Sequence, residues 1–114
     1  MSLKIGRTLF TGPFALADTV LRANHPRAVY AVLVKEGPDW DPCFRLIEIG
    51  VSPPEGVDFP NHPHRPAWEK ASDGKAVVYL HSLDDASQDP ERIAEDIQRQ
   101  YGSSGGIVTL SNGV

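Results

Sequence analysis

The chain has 114 residues, enough for one domain with a single core and no covalent staples. Its 40% hydrophobic and 23% charged content is that of an ordinary globular protein, and its one cysteine, Cys43, excludes an internal disulfide and a cysteine-rich zinc site. A net charge of −4 and a pI near 5.4 weigh against a dedicated nucleic-acid binder, which draws most of its affinity from basic contacts to phosphate.

The start, Met-Ser-Leu-Lys, lacks the apolar h-region of a signal peptide, and no run approaches the length of a membrane span. A cytoplasmic location with no membrane partner is therefore the default expectation. Lys4, Arg7, Arg22, Arg27 and Arg65 are scattered, whereas Asp84 to Asp96 is acidic apart from Arg92.

Thr11-Gly12-Pro13 reads as a turn, and Phe14 to Ala23 places Leu16, Val20 and Ala23 at helical spacing. Asn24-His25-Pro26 should end that helix, because the residue before a proline is pushed out of the α region. Ala28 to Lys35 is apolar on both alternating faces (Val29, Ala31 and Leu33; Tyr30, Val32 and Val34), the pattern of a central strand covered on both sides. A loop with the breakers Gly37-Pro38 and Asp41-Pro42 leads to a returning strand, Cys43 to Ile49. Strict alternation there puts Phe44, Leu46 and Glu48 on one face and Cys43, Arg45, Ile47 and Ile49 on the other. Val51 to Pro66 is a proline-rich crossing with little helical or strand pattern, and Pro66 to Ala71 suits a short helix with Trp68 inward.

Ala76 to His81 reads as a third strand. Asp89 can then cap a helix with Pro90 at its first position and Gly102 as its stop, and Ile93, Ile97 and Tyr101 form its apolar stripe. Glu95 and Arg99 can pair on its exposed side. Ile107 to Leu110 is either a fourth edge strand or an ordered tail. The expected fold class is α+β: one domain over residues 1–114, with a small three- or four-stranded, mostly antiparallel sheet flanked by helices. Residues 12–102 would form its core.

Ala28-Val29-Tyr30 opens one apolar run and Glu48-Ile49-Gly50 closes the next. In this arrangement, and in the order of elements over residues 13–101, the chain resembles the GIY-YIG nuclease family. The resemblance implies two signature tripeptides on adjacent antiparallel strands, a tyrosine that activates water, an arginine that steadies the phosphate and a late-helix glutamate holding one divalent metal. Phosphodiester hydrolysis needs an activated nucleophile and positive charge near the developing phosphorane.

Tyr30 matches the first signature's tyrosine, while Ala28 and Val29 stand for its glycine and isoleucine. Ile49 and Gly50 match the second signature, but Glu48 replaces its tyrosine. Ser52-Pro53-Pro54-Glu55 stands where the family has an arginine-bearing turn, so Arg65 is the arginine left before the third strand. The metal-binding glutamate aligns with Ala94, and Glu95 is one step away, about 100° round the helix. The candidate catalytic set is thus Tyr30, Glu48, Arg65 and Glu95, with magnesium or manganese as cofactor only if the chain is an active nuclease.

His62 and His64 flank Pro63, and His81 ends the third strand; these three are the candidate metal ligands. Without CxxC or HExxH, polar rings on a surface loop are the plainer explanation. The functional expectation is a degenerate GIY-YIG-like domain acting as a non-catalytic binding or interaction module, with no cofactor. The alternatives are a metal-dependent DNA endonuclease with a rearranged site, and a small acidic regulatory protein unrelated to nucleases. The partner is not legible; DNA stays open but is disfavoured by charge.

Overall fold

A computed structural model describes residues 2–5, 8–21, 28–36, 43–53, 55–82, 89–101 and 106–109. The elements in chain order are β1 (Ser2–Ile5), β2 (Thr8–Ala15), β3 (Val20–Leu21), β4 (Ala28–Glu36), β5 (Cys43–Val51), β6 (Val57–Asp58), α1 (Arg65–Ser72), β7 (Val77–Ser82), α2 (Pro90–Tyr101) and β8 (Gly106–Thr109). Six strands form one antiparallel sheet in the order β1-β2-β7-β4-β5-β8, and β3 pairs with β6 in a separate ribbon. The sheet curls, bringing β1 and β8 from opposite ends of that order within 8 Å between Cα atoms. No helix among the described residues is long and apolar enough to cross a membrane.

The expected three- or four-stranded sheet flanked by helices is therefore replaced by a wider, sheet-dominated architecture with two described helices. The extra width is at the N-terminus, where the sequence suggested a turn and a helix. Gly12 and Pro13 lie inside β2, where the ladder to β7 skips from Thr11↔Leu80 to Phe14↔Val78. A proline is tolerated at such an irregularity because no ladder bond is asked of its missing N–H. Gly12 presses on the Tyr79 ring, which a Cβ would meet at 2.8 Å. Of the supposed helical stripe, Leu16 is buried but Val20 is 53% exposed, and the chain re-enters a strand at Val20. Ala23 and the helix stop at Asn24-His25-Pro26 lie outside the described residues.

β4 is the centre of the molecule. It pairs with β5 and β7, and Ala28 to Val34 are all buried, as its two-sided apolar pattern requires. One sheet face carries Val29, Ala31, Leu33, Phe44, Leu46, Ile49 and Tyr79, closed by Ala94 and Ile97 of α2. The other carries Tyr30, Val32, Val34, Ile47 and Val78, closed by Trp68 of α1 and by Leu21 and Val57 of the β3–β6 ribbon. That ribbon places a short strand, Val57–Asp58, in the crossing from Val51 to Pro66, where the sequence shows little strand pattern.

The returning strand contains a bulge. The register runs Leu33↔Leu46 and then Val32↔Glu48, leaving Ile47 as an extra residue. Alternation is reset at that point, so Glu48 does not share a face with Phe44 and Leu46 as strict alternation required. It stands opposite Val32, on the face of Tyr30 and α1.

Both helices start where local signals place them. The Asp89 carboxylate accepts from the N–H groups of Glu91 (3.1 Å) and Arg92 (3.4 Å), and Pro90 opens α2. The expected stop at Gly102 and the side chain of Tyr101 lie outside what is described. α1 has Pro66 in its first turn and ends at Asp73 in the left-handed conformation (φ 56°), with the N–H of Gly74 returning to the Glu69 carbonyl at 2.8 Å. Arg45 ties β5 to that helix, donating to the Ala71 carbonyl at 2.6 Å and to Glu36 at 2.7 Å.

Candidate functional site

Tyr30 and Gly50 are directly opposed in the β4–β5 ladder. A Cβ on Gly50 would come within 2.5 Å of the Tyr30 hydroxyl oxygen, so the phenol lies flat against the β5 backbone and only glycine leaves room for it. The end of this hairpin is clamped by Ser52, whose N–H donates to the Ala28 carbonyl while its hydroxyl accepts from the Ala28 N–H, both at 2.8 Å. Burial, and secondly the charge of Glu48, push the Tyr30 hydroxyl above its ordinary pKa. It is a neutral phenol at physiological pH, not a base.

His64 is the residue before the first turn of α1, and its side chain makes no capping bond. Its ring turns to β5 instead, with Nδ1 at 3.1 and 3.2 Å from the two Glu48 oxygens. A carboxylate only accepts, so Nδ1 carries the proton and Nε2 is the free position. The His64 side chain is 60% exposed and that of Glu48 30%, which makes this a solvent-edge pair of modest strength.

His62 has the opposite tautomer. The main-chain N–H of His64 donates to His62 Nδ1 at 3.0 Å, so the neutral ring keeps its proton on Nε2. The ring stacks on Trp68 with centroids 4.5 Å apart and a 28° tilt, and runs nearly parallel to Phe59 at 6.4 Å. Burial lowers the His62 pKa first, His64 lowers it further, and Glu48 partly opposes both. Tyr30, Glu48, His62 and His64 thus share one face, seated on Phe59 and Trp68.

The other candidates are not gathered there. Arg65 is near in sequence but committed, donating to Glu69 at 3.1 Å and to the Pro60 carbonyl at 2.7 Å. Glu95 lies on α2, across the sheet, and pairs with Arg99 at 3.1 Å. The position aligned with the metal-binding glutamate, Ala94, is buried in the α2 core. His81 stands opposite Val29 on the α2 face and donates from Nδ1 to the Leu9 carbonyl at 3.0 Å, so it does not join the other two histidines. A separate open hollow of about 330 Å³ lies at the β2–β7 junction, lined by Leu9, Phe14, Leu80 and His81 among others.

The side chains of this face set what a divalent metal would meet there. Magnesium or manganese requires oxygen ligands, yet Glu48 directs both oxygens at His64 and Tyr30 is a protonated phenol. For zinc, binding at His62 Nε2 would force a proton onto Nδ1, where the His64 amide already points. Among the described residues no group of three or more histidines, cysteines or carboxylates is placed to hold a metal ion. These residues do not fit magnesium, manganese or zinc.

Sequence reasoning named each member of the face but missed the Glu48–His64 pair, the close approach at Gly50 and the clamp at Ser52. A signal was present: a carboxylate apparently in phase with Phe44 and Leu46 is a local conflict, which a bulge resolves. The chain matches no protein-family model, no curated protein and no solved structure. The likeness to GIY-YIG nucleases therefore rests on the residues quoted for it.

Proposed function

We propose that this chain is a non-catalytic binding module that presents the face formed by Tyr30, Glu48, His62 and His64. The observation that carries the reading is the Glu48–His64 pair. It occupies the place where the second signature tyrosine would act, and consumes the carboxylate nearest to Tyr30. The position of Glu95 on the far side of the sheet supports the same reading, because it leaves the face without a second carboxylate from the late helix. Tyr30 opposite Gly50 is compatible with descent from a GIY-YIG-like hairpin, in which form a degenerate site is the natural outcome.

Incubation with duplex, single-stranded and branched DNA in magnesium or manganese should give no cleavage above background. Cleavage that disappears in Tyr30→Phe would overturn the reading.

A second reading is favoured by the same pair: a carboxylate that orients an imidazole also makes it a competent general base. On that reading the chain is a hydrolase with a rearranged site. Its signature would be cleavage lost in His64→Ala and strongly reduced in Glu48→Gln, with Tyr30→Phe having the smaller effect.

A further inference from the structure

The turn from His62 to His64 is held by a hydrogen bond whose acceptor is itself titratable. The His64 amide occupies His62 Nδ1, so a second proton has no room there while that bond exists. The same turn launches α1: the Arg65 N–H donates to the His62 carbonyl and the Trp68 N–H to the His64 carbonyl, each at 3.0 Å. The geometry points to a proton-operated latch, in which protonation of the His62 ring breaks its bond to the His64 amide, moves the ring off Trp68 and frees His64 from Glu48.

The charged groups that act on His62 are His64 from its own loop and Glu48 from β5. The other neighbours bring rings, Trp68 from α1 and Phe59 from the segment before it. Arg65 is turned to Glu69 and Pro60, so its like charge is directed away, and the Asp58 carboxylate is engaged by Asn61. An imidazolium formed at His62 therefore meets a backbone N–H and a second histidine, and the Glu48 carboxylate is the acceptor within reach. Two histidines then compete for one carboxylate that only His64 holds in the neutral state. The face is assembled above the His62 transition and dismantled below it. The latch stands on loop geometry and does not depend on what the face binds.

The test is an NMR and fluorescence titration of the full chain from pH 7.5 to 4.5, in a Trp40→Phe background so that Trp68 alone emits. His62 should be the Nε2–H tautomer at pH 7.5 and titrate below the ordinary histidine value of about 6.5. The His64 amide resonance and Trp68 emission should change with the same midpoint. Glu48→Gln should lower that midpoint and His64→Ala should raise it, while His62→Ala should abolish the emission change. A Trp68 transition that survives His62→Ala, an Nδ1–H tautomer at pH 7.5, or a midpoint at or above the ordinary value would overturn the latch. Should His62→Ala fail to fold, the tautomer and the His64 amide titration in the otherwise unchanged chain still decide.

Discussion

Gly50 is where a single side-chain atom matters most. Gly50→Ala puts a methyl into the Tyr30 phenol, against its hydroxyl and ring carbons alike. Overpacking of this kind costs about 1–3 kcal/mol, so urea denaturation should show that loss, and Tyr30→Leu added to the same chain should recover part of it. A loss that Tyr30→Leu does not touch would place the strain elsewhere. His62 makes a second prediction, of sign rather than size. Its folded pKa lies below its unfolded value, so between the two the unfolded chain binds more protons. Its contribution is intact above about pH 6.5, is lost as pH falls from there to the depressed folded pKa, and changes no further below it. Thermal midpoints from pH 8 to 5 should fall more steeply for the natural chain than for His62→Gln; equal slopes would contradict the assignment.

At the scale of elements, the legible parts were those specified by neighbours in sequence. Asp89 and Pro90 fix the start of α2, the run Ala28 to Val34 demands cover on both faces, and Pro66 starts the helix that buries Trp68. What was not legible depends on partners far along the chain. β2 buries only Phe10 and Gly12 among its alternate positions, and its Leu9 and Phe14 are 46% and 38% exposed, so no strand pattern stands out. The bulge at Ile47 is one residue long and reverses the phase of everything after it, which alternation alone cannot register. This misplaced Glu48 and hid its pairing with His64. The apolar stripe of α2, by contrast, carries a direct prediction. Ile97 is 3% exposed against the sheet, and Ile97→Ala should cost about 2–5 kcal/mol in chemical denaturation. A loss under about 0.5 kcal/mol, the range of surface changes, would mean that α2 does not close this core.

For the whole molecule, the sheet separates two chemistries. On one face α2 seals an apolar core with no described catalytic candidate inside it. On the other, beside α1 and the ribbon, Tyr30, Glu48 and the two histidines meet over Phe59 and Trp68. The curl brings the two end strands of the sheet, β1 and β8, near each other, away from the flat open edge that invites pairing with other chains. The local hairpin could be read from the chain, but the six-strand width could not, because β1 is four residues long and β2 shows no clean alternation.

The return of β1 to the neighbourhood of β8 means that the strand order is close to a ring in space. A ring has no privileged starting point. Joining the end of β8 to the start of β1 by a short glycine-serine bridge, and opening the exposed turn at Asp73-Gly74, should yield a circular permutant with the same sheet. It should keep the near-ultraviolet dichroism of the parent and unfold in one transition. A permutant that unfolds in two steps would show that β1 and β2 dock on an independently folded remainder.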